Sequence, residues 1–205
     1  MEKTERSNNL NGGPKQHYEI IRELGDCYTT VGRYEDAKNC YDKAALLSPD
    51  DAAPYVGLGV IAFQNELLDD ADIAFRVACR LDSKCAKAYC GLGMVEQKRG
   101  NYEKAFDYYL KCLEIDADNL TALLGLFQSS CQMGTFGKVI YYLELYLQMH
   151  PADTSVMFTL AALYIKDKRF EQSKRILCDL LVFEPDNKEA RSLLEEVEHN
   201  LSQNQ

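Results

Sequence analysis

The chain has 205 residues, and its 32 acidic against 23 basic side chains give a formal net charge of −9. A chain this acidic lacks the clustered Lys and Arg that neutralise phosphates, so we expect no nucleic-acid partner. Because no window approaches about 18 consecutive apolar residues, we also expect no membrane insertion. The N-terminus has no apolar stretch either, which predicts a cytoplasmic protein unless a signal peptide has been removed.

The predicted elements begin after a polar leader, residues 1–16, which contains Asn-Gly-Gly-Pro and has too few apolar side chains to form a core. We expect this leader to be flexible. A first helix is predicted at about 17–31, ended by Gly32, and a second at about 34–47. The Ser-Pro-Asp-Asp turn at 48–51 ends the second helix and caps the next one.

The same helix-turn-helix pattern then recurs every 34 residues without insertion or deletion. The first helices share a leucine at the same position, and the copies have Leu24, Leu58, Leu92, Leu126 and Leu160 there. Residues 17–187 are thus predicted to hold five tandem copies, namely 18–51, 52–85, 86–119, 120–153 and 154–187. Residues 188–201 combine an apolar stripe with an acidic opposite face, which predicts a capping helix before a short tail, 202–205.

A 34-residue helix-turn-helix array resembles the tetratricopeptide repeat family, and the resemblance covers about nine tenths of the chain. In the first copy, the signature positions of the family read Ile21, Leu24, Gly25, Tyr28, Ala37, Tyr41, Ala44 and Pro49. The fourth copy departs from the pattern, with Phe127 at a small-residue position and Ser130 at the usual Tyr, so we expect looser packing there. The resemblance implies an all-α fold, a right-handed superhelical α-solenoid whose first helices line a concave groove.

Helical phase predicts which side chains line that groove. If the repeated leucines face the partner helix, the positions two before, two after and five after them face the groove. These positions hold Val56, Val60, Phe63, Cys90, Met94, Gln97, Leu124, Gln128, Cys131, Phe158, Ala162 and Ile165, with Arg22, Asp26 and Thr29 as a charged entry. Gly57, Gly91 and Gly125 also point toward the groove. They would either open space for a ligand or relieve crowding between neighbouring first helices.

The groove so predicted is mainly apolar from the second copy onward. We therefore expect a protein-interaction module or scaffold that binds an apolar or amphipathic segment, extended or helical, of a partner protein or peptide. Some family members hold acidic chaperone C-termini with a carboxylate clamp of Lys, Asn and Arg. The matching region here offers Arg22 but then Asp26 and Gly57, so this clamp is missing.

Self-assembly is a second hypothesis, because the second helix of the fourth copy lacks a clean polar face. Tyr141 and Leu145 should lie on its outer surface and could join copies of the chain into a homo-oligomer. The alternative is that this aromatic pair is half exposed without a function, since folded surfaces remain largely apolar by area.

An enzyme is the weakest hypothesis. The three histidines are isolated, and no Ser, Cys or Lys nucleophile has a base at helical spacing, so we expect no catalysis. The eight cysteines contain no C-x-x-C pair, which favours apolar packing, although Cys79 and Cys85 could approach each other around a turn. Asp69, Asp70 and Asp72 could hold a cation but also suit a helix N-terminus. We expect no metal and no cofactor.

Overall fold

The structure is a computed structural model that describes residues 14–203. Most of the predicted leader and the last two residues of the predicted tail lie outside this range. Pro14 to Gln16 belong to the first helix rather than to the leader, because proline is tolerated in the first turn of a helix. The predicted capping helix extends two residues further than expected, from Lys188 to Gln203.

Residues 14–203 form eleven helices and no strand. In chain order the helices are α1 (Pro14–Thr30), α2 (Tyr34–Leu47), α3 (Ala53–Gln64), α4 (Leu68–Leu81), α5 (Ala86–Lys98), α6 (Tyr102–Ile115), α7 (Leu120–Met133), α8 (Gly137–Met149), α9 (Thr154–Lys166), α10 (Phe170–Phe183) and α11 (Lys188–Gln203). The all-α prediction is confirmed, and the helices have the lengths and spacing of a helical solenoid.

The turn inside each helix pair has the same backbone geometry in every copy. Its central residue lies in the left-handed region, with φ between 60° and 79°, and the residues are Gly32, Glu66, Gly100, Gly134 and Lys168. Glycine adopts this conformation without strain, whereas Glu66 and Lys168 adopt it at a cost. The period of the repeat therefore imposes the turn even where the sequence offers no glycine.

The described chain divides after Val95 into two compact units, and the division falls within α5. In the first unit, Ala37 and Tyr41 of α2 form a buried cluster with Ile61 of α3. In the second unit, Leu177 and Leu180 of α10 form a buried cluster with residues of α9 and α11. Each core is thus built from neighbouring helix pairs, as expected for a repeat protein.

Aromatic rings from second helices fill slots lined by glycine. The Tyr41 ring lies against Gly25 of α1, where an added Cβ would be 2.8 Å from the ring, and against Gly57 of α3, where it would come closer still. Phe75 of α4 lies in the same way against Gly59 and Gly91. Tyr109 and Gly125 repeat the contact in the second unit.

This packing corrects one prediction about the groove. Gly57, Gly91 and Gly125 are buried against these rings, so the space beside each glycine is filled by a ring rather than left open for a ligand. They relieve crowding instead, against an aromatic ring of the preceding copy. Helical phase could not show this, because the ring comes from a different helix.

The fourth copy leaves two polar groups unpaired. Ser129 and Ser130 of α7 are fully buried, and their hydroxyl oxygens have no hydrogen-bond partner among the described residues. In the fifth copy, by contrast, the buried Ser173 donates a hydrogen bond to the carbonyl oxygen of Ala161 at 2.9 Å. An unpaired buried hydroxyl costs free energy, so α7 is packed less favourably than its neighbours.

Candidate functional site

A cleft of about 430 Å³ opens on the first unit between α1, α3 and the start of α5. The half-buried side chains of Val56 and Val60 on α3 form its apolar floor. Its polar lining includes Arg22, Asp26, Thr29, Asp51, Asp82 and Lys87. The cleft therefore brings together three predicted groove residues, Val56, Gly57 and Val60, and the predicted charged entry.

A network of side chains fixes the α1 wall of the cleft. Asp26 accepts hydrogen bonds from the Arg22 guanidinium at 3.0 Å and from the Tyr41 hydroxyl at 2.7 Å. The hydroxyl of Thr29 lies 3.3 Å from the Tyr41 hydroxyl and donates to the carbonyl oxygen of Gly25 at 2.9 Å. The ring of Tyr41 thus lies between Gly25 and Gly57, and its hydroxyl group lines the cleft.

The opposite rim is acidic. Asp51 accepts hydrogen bonds from the Tyr18 hydroxyl at 2.6 Å and from the backbone N–H of Ala53 at 2.8 Å, which places this carboxylate at the start of α3. Asp82 accepts from the backbone N–H of Lys84 at 2.9 Å. With Arg22 and Lys87 against three carboxylates, the cleft carries a net negative charge.

Burial raises the pKa of two tyrosines in this network, Tyr41 and Tyr18. Desolvation raises the pKa of Tyr41 from 10.0 to about 12, and the hydrogen bond to Asp26 adds to the effect. Desolvation and the hydrogen bond to Asp51 likewise raise the pKa of Tyr18. A carboxylate acceptor disfavours a neighbouring phenolate, so both hydroxyls stay protonated and keep donating at neutral pH.

We predict that a Tyr41→Phe variant is less stable than the original chain at pH 8, by about 1.5 kcal/mol, because it lacks a hydrogen bond to a charged acceptor. The difference should shrink as the pH rises from 10.0 through 12. In this window the unfolded chain ionises this tyrosine while the folded chain keeps it protonated, so the original loses the stability that Tyr41 contributes, which the variant lacks at every pH.

Urea unfolding at pH 8 and at pH 11 measures this difference. The other tyrosines with a raised pKa are present in both proteins and cancel in the comparison, and they are Tyr18, Tyr142, Tyr146 and Tyr164. A difference that stays constant over this range would contradict the assigned role of the Tyr41 hydroxyl.

A similar network occurs in the second unit. The Tyr109 hydroxyl donates to the side-chain oxygen of Gln97 at 2.5 Å, and the Gln97 amide donates to the side-chain oxygen of Gln128 at 2.5 Å. Gln97 occupies the same position in its copy as Thr29 does in the first. Two predicted groove residues, Gln97 and Gln128, are therefore joined by a hydrogen bond.

The remaining predicted groove residues differ in exposure. Leu124 and Cys131 are exposed, and the half-buried ones are Phe63, Met94, Phe158, Ala162 and Ile165. Cys90 is buried, so its assignment to the groove is wrong. Its short side chain stays below the surface that Leu124 reaches from the equivalent position. Phe158 and Ile165 pack against the α9–α11 core, so a charge there would also disturb folding.

Of the two residues predicted on the outer face of α8, Tyr141 is more exposed than Leu145. Tyr141 is 59% exposed and packs edge-on against Tyr142, with ring centroids 5.1 Å apart. Leu145 is half-buried. Self-association through these two residues stays a prediction.

Sequence reasoning missed several cleft residues and a second cleft. Asp51 and Asp82 lie in turns, where helical phase gives no signal, and Tyr41 comes from a second helix. The second cleft, also about 430 Å³, lies between α2, α3 and α4 on the same unit. Leu58 lines it and is half-buried for that reason, unlike its counterparts in later copies.

Within residues 14–203, no cluster of three or more His, Cys, Asp or Glu side chains is arranged to hold a metal ion. Asp69 and Asp70 lie in the first turn of α4, whereas Asp72 lies beyond it and accepts two hydrogen bonds from the Arg76 guanidinium. The eight cysteines are free thiols. None of the helices in the described part of the chain is both long and apolar enough to cross a bilayer.

Comparisons with known proteins agree with this geometry. Two family models described as tetratricopeptide repeat match residues 23–84 and 86–119. The mouse mitochondrial import receptor subunit TOM70 is 31% identical over 120 residues, which cover 53% of this chain and 20% of that protein. Human tetratricopeptide repeat protein 7A is 33% identical over 106 residues, covering 52% of this chain and 12% of that protein. The chain thus spans about a fifth or less of these relatives.

Solved structures show the same fold. PilF of Pseudomonas aeruginosa superposes with a TM-score of 0.69 at 20% identity, covering 93% of both chains. The first repeat domain of RPAP3, bound to the HSP90 peptide SRMEEVD, gives a TM-score of 0.54 at 23% identity and covers 58% of this chain and 95% of that one.

Helix pairs of fixed length, joined by identical turns and packed through glycine slots, define an α-helical repeat protein of the solenoid class. Residues 23–119 supply the sequence evidence for the particular family. The chain is a tetratricopeptide repeat protein.

Proposed function

We propose that the cleft of the first unit binds an apolar or amphipathic segment of a partner protein. Tetratricopeptide repeats are protein-interaction modules, and the family is generally non-catalytic. The observation that carries the proposal is the cleft itself, in which the apolar floor of Val56 and Val60 is bordered by charged groups held in place. Such a pocket positions one or two side chains of a peptide and orients them through its polar rim.

The charges of the cleft favour one kind of segment. Asp26 already engages Arg22, and Asp51 and Asp82 add negative charge to the rim. A segment with an aliphatic residue for the valine floor and a Lys or Arg for the acidic rim therefore fits best. An acidic C-terminus would have to displace Asp26 from Arg22. We expect micromolar affinity, about −8 kcal/mol, because the contact is small.

We predict that Val60→Glu abolishes this binding, with at least about a hundredfold loss, because it places an unpaired carboxylate on the apolar floor. A displayed library of 12-residue peptides is selected on the original chain, and the affinities of the selected peptides are then measured by fluorescence anisotropy. The selected peptides should combine aliphatic with basic residues. Circular dichroism checks that the variant keeps its helicity.

Val182→Glu is the matched control, since Val182 is 75% exposed and is not one of the residues that line the cleft. This variant should bind the selected peptides as the original does. Peptides that bind the Val60→Glu variant with unchanged affinity would place the binding site elsewhere and refute the proposal.

A cytoplasmic location, a partner that is not nucleic acid and the absence of catalysis complete the proposal. The net charge of −9 supports the second point. His150 stacks on Tyr146 and pairs with the Asp118 carboxylate. These contacts hold the ring at the C-terminal end of α8.

Self-assembly remains the second candidate, and the exposure of Tyr141 favours it. An exposed aromatic residue on a helix without a clean polar face is a common point of contact between copies. Light scattering coupled to size exclusion, over a concentration series under reducing conditions, tests it. A constant monomer mass would remove this candidate.

A further inference from the structure

The helix α1 carries an exposed apolar stripe, which we call the α1 stripe. It consists of Ile20, Leu24 and Cys27, with Val31 just beyond the helix end. Ile20 is 56% exposed, Leu24 42% and Val31 67%, and Cys27 is also exposed. Their spacing places them on one side of the helix, so the surface is continuous rather than a set of scattered residues.

The same positions are covered in later copies. The counterparts of Leu24 in α5, α7 and α9 are Leu92, Leu126 and Leu160, which are 2%, 0% and 1% exposed. The counterparts of Ile20 and Cys27 in those helices are buried as well. The covering element is the second helix of the preceding copy, as in the contacts of α6 with α7 and of α8 with α9. The α1 stripe therefore continues the interface that joins one copy to the next.

The other end of the chain shows how such a stripe is covered. Ala190, Leu194 and Val197 of α11 occupy the stripe positions, and α10 packs over them with Leu177 and Leu180 fully buried. An ion pair lies beside this contact between the two helices: the Lys174 ammonium of α10 is 2.7 Å from the Glu198 carboxylate of α11. The chain thus contains its own example of a helix that fits this kind of surface.

The residue next to the stripe, Glu23, determines which side chains a covering helix can place against α1. A covering helix inserts an aromatic ring where the facing first helix has glycine, as in the pairs Tyr41 with Gly57, Phe75 with Gly91 and Tyr109 with Gly125. Where that position holds a larger residue, the second helix has leucine at the ring position. In the same register Leu143 corresponds to Thr159, and Leu177 belongs to the cluster against which Leu193 packs. In α1 the position holds Glu23, so the ring slot is closed and an aliphatic side chain is required.

Charge adds a second requirement. Glu19 and Glu23 are exposed on one flank of the α1 stripe. The Arg22 guanidinium lies 3.8 Å from the Glu23 carboxylate and is already engaged by Asp26 at 3.0 Å. A covering helix with Lys or Arg on that flank would pair with these carboxylates, as Lys174 does with Glu198.

We propose that the α1 stripe receives an amphipathic helix of a partner protein, with a Leu or Ile seam and Lys or Arg beside it. This helix packs on the first unit as the second helix of an additional copy would. The surface is separate from the cleft between α1 and α3, so one partner can occupy each.

The test uses a dye-labelled synthetic peptide of residues 168–185, the α10 sequence with its flanks, carrying Cys178→Ser to prevent oxidation. Its fluorescence anisotropy is titrated with the full chain under reducing conditions. We expect saturable binding, and Leu24→Glu should weaken it at least about tenfold by placing a carboxylate in the seam. The Val182→Glu variant, altered at an exposed position outside both surfaces, should bind the peptide unchanged. The peptide also combines leucines with basic residues, so if it occupied the cleft instead, Val60→Glu rather than Leu24→Glu would abolish its binding. A peptide with Leu177→Glu should not bind.

Four outcomes would overturn the proposal. One is the absence of saturable binding to the original chain, and another is equal binding by the Leu24→Glu variant. The third is a concentration-dependent dimer that Leu24→Glu converts to a monomer, because a second copy would then cover the stripe. The fourth is a gain of more than about tenfold in peptide affinity when residues 1–13 are deleted, because the leader would then be the occupant.

Discussion

Replacing Gly57 by alanine should lower the free energy of unfolding by about 3 kcal/mol, the upper part of the range for overpacked cores. The added Cβ would lie inside 3.0 Å of the Tyr41 ring, closer than such contacts occur in proteins. The ring has no room to retreat, because the backbone of Gly25 lies against it on the side of α1. Chemical denaturation followed by circular dichroism measures the loss.

A matched control and a rescue make this prediction specific. Gly137→Ala, at the start of α8, meets no atom within 4 Å and should change stability by less than about 0.5 kcal/mol. Tyr41→Leu removes the ring from the slot, so the double variant should lose clearly less than the sum of the two single losses. Additive losses would show that the Gly57 effect does not come from the ring.

Leu177→Ala should cost about 3 kcal/mol, within the range for emptying a fully buried leucine site. The Leu177 side chain is 0% exposed in the cluster that joins α9, α10 and α11. The terminal helix depends on this cluster, where Ala190 and Val197 are its buried residues. The variant should therefore lose hydrogen-exchange protection throughout α11 before it unfolds elsewhere.

Hydrogen exchange is the appropriate measurement because the chain divides into two units, and a single denaturation midpoint does not assign a loss to one of them. Val182→Ala on the same helix is the control. Since Val182 is 75% exposed, its truncation should leave the exchange of α11 within about 0.5 kcal/mol of the original. Unchanged protection of α11 in the Leu177→Ala variant would contradict the role of this cluster.

The sequence predicted a cleft-lining residue only where the residue's position on its own helix determines which way its side chain points. Val56 and Val60, together with Arg22, Asp26 and Thr29, line the cleft as helical phase indicates. That these residues bind a partner is still a prediction. Phase misplaced Cys90 because it describes direction and not the length of a side chain.

The sequence by itself determined the period, the helices and the family of this protein. These properties are local, because apolar spacing, turn residues and caps act within about one repeat. Only the tertiary structure decided which surfaces are free, because burial depends on what a neighbouring helix brings. It placed the Tyr41 ring against Gly57, which leaves no room for a larger side chain there, and it left Leu24 exposed where Leu92 is covered.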